Sequence, residues 1–248
     1  MDVSSLMNIY KYFANVITIV RKIPFGVKGL DDMLKGGLIE NRVYLIKGGP
    51  GSGKTILSIQ FLVEGVKRNE NVMYVSLEES IEEVREEMEI LGIDTSGISF
   101  VDSSFTGEKS IFSEAYLINS ELDLQTFKVY LENEIDKVKP KRLVIDPITI
   151  LRLASKSEVE YRRNLLALIT MLRKRKITTL ITTEFTGRCV EDYIVSGVIE
   201  LHCYNVKGRT VRGVKIVKFR GSDFDEVIRP YTIKQGGLEV YSEVKLFD

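Results

Sequence analysis

Short unbroken apolar runs alternate along this chain with longer stretches whose apolar residues recur every three or four positions. Residues 43–46 are β-branched or aromatic apart from Leu45, which predicts a buried strand. Ile56, Leu57, Ile59, Phe61, Leu62, Val63 and Val66 follow at helical spacing. The alternation continues with a strand at 71–77, a helix from Ser80 to Leu91, a strand at 98–101 and a helix at 123–139. A strand at 142–146, a helix at 158–174 and a strand at 178–183 complete it. Ser80 and Glu83 have the spacing of a capping box, and Gly92 and Pro140 stop two of the helices. This order predicts an α/β fold with a mostly parallel sheet flanked by helices on both faces.

Beyond Glu184 the period falls to two. Segments 197–204, 209–220, 230–233 and 238–241 read as antiparallel strands, with turn signals at 205–208 and 235–237. No repeat or low-complexity linker separates the two parts, so residues 23–248 are expected to form one domain with a C-terminal antiparallel β extension. A short apolar helical face, Leu30, Met33 and Leu34, precedes the first long strand. Residues 102–120 are polar and read as variable surface. Within residues 1–22 the apolar run from Phe13 to Val20 has neither the length of a spanning helix nor the layout of a signal peptide. Within it Ile17, Thr18 and Ile19, with Val20, form a strand-like run expected to pack on the core or to pair with a neighbouring subunit.

Composition adds little. Lys and Arg number 35 against 35 Asp and Glu, so the overall balance signals neither a nucleic-acid nor an acidic-membrane partner. The 2 cysteines, Cys189 and Cys203, have no metal or framework spacing, which fits free thiols in a cytoplasmic protein. The one histidine, His202, lies in an apolar run and is expected to pack or lie on the surface. Trp is absent and Lys, Glu and Ile are abundant, a lean toward a thermophilic source. The cluster Arg173 to Lys176 closes a helix, where cations meet the negative end of the dipole.

The chemistry lies directly after the first long strand. Gly48, Gly49, Pro50, Gly51, Ser52, Gly53, Lys54 and Thr55 match G-x-x-x-x-G-K-[ST] between a strand and a helix, the context of a phosphate-binding loop. Glycines let successive N–H groups point inward around a phosphate, and the helix start adds its positive dipole end. Lys54 supplies a mobile cation and Thr55 a hydroxyl ligand for Mg²⁺, so a nucleoside triphosphate, ATP, is the expected ligand. Asp146 ends an apolar strand and is suited to hold the same Mg²⁺, commonly through water. Pro147 occupies the next position, where many ATPases carry a glutamate base. Glu78 and Glu79, at the end of another parallel strand, are therefore the candidate bases, with Glu78 ahead. Lys218 and Arg220 lie two apart and face the same side; the pattern alone reads them as an edge-strand pair.

Six segments in order carry a resemblance. GVKGLDDMLKGGL, GGPGSGKT, the strand ending in SLEES, LVIDP, TTLITTE and KFRGSD followed by PYTI resemble RecA-superfamily P-loop ATPases of the KaiC type, above all the single-domain archaeal KaiC-like proteins. The likeness spans about residues 23 to 241. It implies a RecA-like sheet in which the P-loop strand neighbours the strand bearing Asp146, and hexameric rings with ATP bound between subunits. It also implies that Glu78 and Glu79 are the paired catalytic glutamates, and that Lys218 and Arg220 reach across to a neighbour's γ-phosphate, which replaces the edge-strand reading.

Two departures are visible. Members usually continue Arg-Gly-Thr/Ser-x-His, whereas here Arg220-Gly221-Ser222-Asp223-Phe224 lacks the histidine. Where the second half of the two-domain clock proteins autophosphorylates on an adjacent Ser-Thr pair, this chain has Glu191-Asp192-Tyr193. The expectation is a slow, hydrolytic, Mg²⁺-dependent ring ATPase with a regulatory or signalling role and no autokinase activity. One alternative is a RadA-paralogue-like accessory of DNA recombination with weak single-stranded DNA binding, less favoured because the intervals 151–163 and 185–193 are short. The other is a nucleotide-gated scaffold that assembles for a protein partner.

Overall fold

The computed structural model describes residues 20–103 and 124–247. The strand-like run at 17–19 and nearly all of the polar excursion lie outside them. A small antiparallel pair, β1 (Lys22–Ile23) and β2 (Leu38–Ile39), brackets helix α1 (Lys28–Met33). Then come β3 (Val43–Gly48), α2 (Lys54–Lys67), β4 (Val72–Ser76), α3 (Ile81–Ile90) and β5 (Ser99–Asp102). After the interval, α4 (Leu124–Val138), β6 (Arg142–Asp146), α5 (Thr149–Leu153), α6 (Glu158–Lys174) and β7 (Thr178–Thr183) complete the alternating part. The short helix α7 (Val190–Ile194) leads into β8 (Gly197–Val206), β9 (Arg209–Phe219), β10 (Arg229–Lys234) and β11 (Gly237–Val240).

Among the described residues the main sheet has 9 strands, in the order β11-β10-β9-β8-β3-β7-β6-β4-β5. From β8 to β5 every pairing is parallel, and from β8 to β11 every pairing is antiparallel. The expected α/β architecture with a C-terminal antiparallel extension is therefore present. Strands β3, β6 and β7 are buried along their whole length, which is why they are rich in β-branched and apolar residues and show no alternation of polar and apolar positions.

Alternate residues of the strands feed two cores. Tyr44, Ile46, Val72, Tyr74 and Val144 pack with Leu57, Phe61 and Leu62 of α2, Val84 and Met88 of α3 and Leu30 of α1. Val43, Leu45, Met73, Val75 and Ile145 face the other way, toward Phe127 and Leu131 of α4, Leu165 and Leu168 of α6 and Ile194 of α7. The period of two in the strands thus assigns each helix its face. The Ser80–Glu83 capping box forms as the sequence predicts, with Glu83 N–H donating to Ser80 Oγ at 3.3 Å and Ser80 N–H to Glu83 Oε2 at 3.0 Å.

One implication of the resemblance is corrected. The P-loop strand β3 does not neighbour the Asp146 strand β6, because β7 lies between them. The two halves of the site still meet, because α2 leaves the P-loop and packs across β6 and β4. The interval after Asp146 is also not a long loop. It is taken up by α5 and the start of α6, and its Arg152 pairs with Glu158 at 3.0 Å and stacks over the Phe185 ring. Strand β9 lies between β8 and β10, but β10 pairs with it only at Gly213 and Val214, so among the described residues the Lys218 end of β9 is paired with β8 alone. Cys189 and Cys203 are free thiols, and His202 Nε2 lies 3.3 Å from a Glu200 carboxylate oxygen. Among the described residues no helix is long and apolar enough to cross a membrane.

Candidate functional site

Four parallel strands end together at one edge of the sheet, where each hands over to a residue of the site. β3 runs into the loop 48–55, β4 into Glu78 and Glu79, β6 ends on Asp146, and β7 is followed by Glu184. Carboxyl ends of parallel strands gather ligand-binding loops because the chain must turn there on its way to a helix. Between them lies a cleft of about 310 Å³. Gly51, Gly53, Lys54, Thr55, Tyr74, Glu78, Glu79, Glu87, Asp146, Glu184 and Ile233 line it.

The loop geometry demands its glycines. Gly53 has φ of 88°, and a Cβ there would meet Ile233 Cδ1 at 2.8 Å. At Gly48 a Cβ would run into the Ser52 hydroxyl and the Leu201 carbonyl. Ser52 points inward and is fully buried, and its carbonyl accepts from the Tyr231 hydroxyl at 2.7 Å, so the C-terminal hairpin braces the loop from behind. Lys54 and Thr55 open α2, whose first N–H groups have no partner within the helix. Lys54 Nζ donates to the Gly48 and Gly49 carbonyls at 2.9 and 3.3 Å.

Asp146 is the hub of the floor. Its Oδ2 accepts from Thr55 Oγ1 at 2.9 Å and from the Tyr74 hydroxyl at 2.7 Å, and its Oδ1 accepts from Thr182 Oγ1. Burial, with the Asp146 charge beside it, pushes the Tyr74 phenol well above its ordinary range, so Tyr74 stays a donor. Leu77 N–H donates to the Asp146 carbonyl at 2.8 Å and Ile148 N–H to the Thr182 carbonyl at 2.9 Å, which ties the ends of three strands. The Asp146–Pro147 peptide is cis.

These donors fit Mg²⁺. The Thr55 hydroxyl and the Asp146 carboxylate are hard oxygen ligands already in contact, and among the described residues no sulfur or imidazole lines the cleft. Among the described residues no three acidic, His or Cys side chains converge closely enough to hold a metal alone. A cation here would complete its shell with water and phosphate oxygens, the usual arrangement for Mg²⁺ in nucleotide sites.

The cleft is strongly acidic. Glu78, Glu79, Glu87, Asp146 and Glu184 face it, and among the described residues Lys54 is the one cation that lines it. Glu78 and Glu79 stand exposed at its mouth, yet both are harder to ionise than ordinary glutamates. For Glu78 the causes are loss of water against the cleft walls, then the charges of Glu184 and Asp146, with Lys54 opposing. Loss of water, then Glu87, Asp146 and Glu78, raises Glu79 to about 7.

A folded-state pKa above the unfolded one means that the folded form holds the extra proton. The stabilisation that goes with it is complete below the ordinary glutamate range and is lost as pH rises through about 7. The thermal midpoint without nucleotide is therefore expected to fall between pH 5 and 8, less steeply in Glu79→Gln and less steeply with added Mg²⁺. Thermal melts across that pH range check this, and identical slopes for wild type and Glu79→Gln would contradict it.

The residues expected from sequence do not all converge. Lys54, Thr55, Glu78, Glu79 and Asp146 share the cleft, whereas Lys218 and Arg220 lie elsewhere. Gly48 is level with Leu201 on β8, and Leu201 with Val214 on β9. Lys218 is four residues further along β9, about 13 Å toward the opposite edge of the sheet and two strand spacings aside. There Lys218 Nζ donates to the carbonyls of Asp192 at 2.5 Å and Val195 at 2.7 Å, and Arg220 Nη2 to that of Tyr193 at 2.9 Å. Both reach the same short segment, so they do face one side. Glu184, Glu87, Tyr74 and Thr182 were not singled out from sequence. Glu184 was findable, because it follows a parallel strand as Glu78 does; the others needed the sheet order.

Comparison with known proteins shows family and fold. The family described as "ATPase: KaiC" matches residues 23–245. The UPF0273 protein PH0284 of Pyrococcus horikoshii is 32% identical over 237 residues, covering 90% of this chain and 95% of that one. The circadian clock protein KaiC2 of Synechocystis is 30% identical over 231 residues, 88% of this chain but only 40% of the clock protein. The crystal structure of the KaiC-like protein PH0186 from Pyrococcus horikoshii superposes with a TM-score of 0.76 at 30% identity, covering 90% of this chain and 99% of that one.

Proposed function

The chain belongs to the KaiC family of P-loop ATPases, and on that premise we propose that it is a Mg²⁺-dependent, cytoplasmic ATPase, acting as a ring-shaped homo-oligomer whose nucleotide sites are shared between subunits. The observation that carries the reading is the charge of the cleft, where among the described residues Lys54 alone opposes five carboxylates. Phosphoryl transfer places negative charge on the equatorial oxygens of the moving group, and catalysts of this reaction supply cations there. Lys218 and Arg220 have the right chemistry but lie too far along the sheet to reach their own loop. A head-to-tail neighbour brings them to it, and head-to-tail contacts close into rings.

In this reading the loop amides and Lys54 hold the phosphates, and Tyr74 and Thr182 fix the Asp146 carboxylate beside Thr55. Mg²⁺ held by Thr55 and Asp146 supplies neutralising charge to the phosphates. Glu78 takes the proton of the attacking water as the bond from the γ-phosphorus to the ADP oxygen breaks. Segment 191–193 offers no adjacent Ser-Thr pair, which supports hydrolysis rather than autophosphorylation.

Specific ATPase activity is expected to rise with protein concentration and to level off where native mass shows the assembly complete. A specific activity independent of concentration, with a monomeric mass in Mg·ATP, would sink the proposal.

A further inference from the structure

Lys47 precedes the first P-loop glycine and occupies a buried strand, where a lysine is costly unless paired. Its side chain is 3% exposed. It points to the α7 face, with Nζ 3.1 Å from both Asp192 carboxylate oxygens, 2.7 Å from the Gly187 carbonyl and 3.4 Å from Glu200 Oε1. Burial opposes its charge, but the Asp192 bond and the nearby acidic groups outweigh it and raise the pKa. Asp192 is bonded on its other side as well, through the main chain. Its carbonyl and that of Val195 accept from Lys218, and the Tyr193 carbonyl between them accepts from Arg220. These bonds use two of the three Lys218 protons and leave one free to meet a phosphate.

A single chain of contacts thus runs from the strand that carries the P-loop, through Lys47 and Asp192, to both cations. From it we infer that Lys47 is a positioning residue for the neighbouring subunit's site: by anchoring Asp192 it fixes the α7 carbonyls that aim Lys218 and Arg220 outward. The inference rests on the shared-site reading. Its particular content is that Lys47, although next to its own phosphate loop, acts mainly on the next subunit's reaction. Displacement of a positioned group by about 1 Å costs on the order of a hundredfold in rate, so a drop of at least about tenfold is expected for Lys47→Met.

Mixed assemblies separate this from a role in the residue's own loop. Lys47→Met mixed with Glu78→Gln creates sites that join an intact cleft in the Lys47→Met chain to correctly aimed cations from its neighbour. Such a mixture should recover activity. Lys47→Met mixed with the Lys218→Ala, Arg220→Ala double variant should not, because every competent cleft then receives misaimed or missing cations. Asp192→Asn, which keeps the carbonyl but weakens the anchor, should repeat the pattern and guards against a folding defect in Lys47→Met. Recovery in the second mixture, in both mixtures or in neither overturns the inference. Glu78→Gln mixed with the double variant serves as control: if it recovers nothing, the shared site itself fails, and this inference with it.

Discussion

Lys54→Ala is expected to lower ATP affinity about a hundredfold, equivalent to roughly 2.8 kcal/mol, and to remove measurable turnover. The expectation follows from the charge around the loop rather than from the motif alone. Among the described residues Lys54 is the one cation in a lining that includes five carboxylates, so its loss sets a polyanion against an acidic cleft. Contacts to a charged group contribute about 1.5–3 kcal/mol each, and the loop amides that remain are partial charges. The fold should survive, because among the described residues Lys54 Nζ bonds only to the Gly48 and Gly49 carbonyls. Titration with a fluorescent ATP analogue at fixed Mg²⁺ and salt measures the change. An alanine variant that binds as wild type does would show that the amides hold the phosphates unaided.

Glu78→Gln should leave nucleotide affinity within a few-fold and lower kcat roughly a hundredfold to ten-thousandfold, the usual worth of a positioned base. A base must be ionised to accept a proton, so wild-type rate should rise with pH along an acid limb. Loss of water and the charges of Glu184 and Asp146 hold Glu78 above the ordinary glutamate range, which sets that limb higher than for a free glutamate. Glu184→Gln removes one of those charges and should move the limb to lower pH. A Glu78→Gln enzyme with near wild-type kcat would transfer the role to Glu79. An unmoved limb in Glu184→Gln would mean that the rate does not report Glu78.

What could be read from sequence and what could not have separate physical causes. The strands β3, β4, β6 and β7 were legible because burial on both faces favours short β-branched and apolar runs without polar alternation, as in the TTLITT of β7, and the helices because each buries one stripe. The P-loop was legible because its chemistry is local, with every group supplied by eight consecutive residues. Sheet order is not local. Whether β7 lies between β3 and β6 depends on which helices cover which face, and the expectation that β3 adjoins β6 failed there. The short helix α7 was missed because five residues carry too few apolar positions to show a period, and its start is closed by Asp192 on the Cys189 N–H rather than by a Ser or Thr cap. With α7 unseen, nothing in the sequence could link Lys47 to Lys218. That Lys218 and Arg220 reach one side was legible from their spacing. That they lie well along the sheet from their own phosphate loop, which the resemblance had implied, is visible in the β8–β9 register.

Subunit mixing between Glu78→Gln and the Lys218→Ala, Arg220→Ala double variant tests the shared site most directly. Each variant alone should be nearly inactive, one lacking the base and the other the cations. A random equimolar assembly joins an intact cleft to intact cations at about a quarter of its sites, so the mixture should regain up to about that share of wild-type activity. A mixture as inactive as its components, in assemblies shown by mass to contain both chains, would contradict the account.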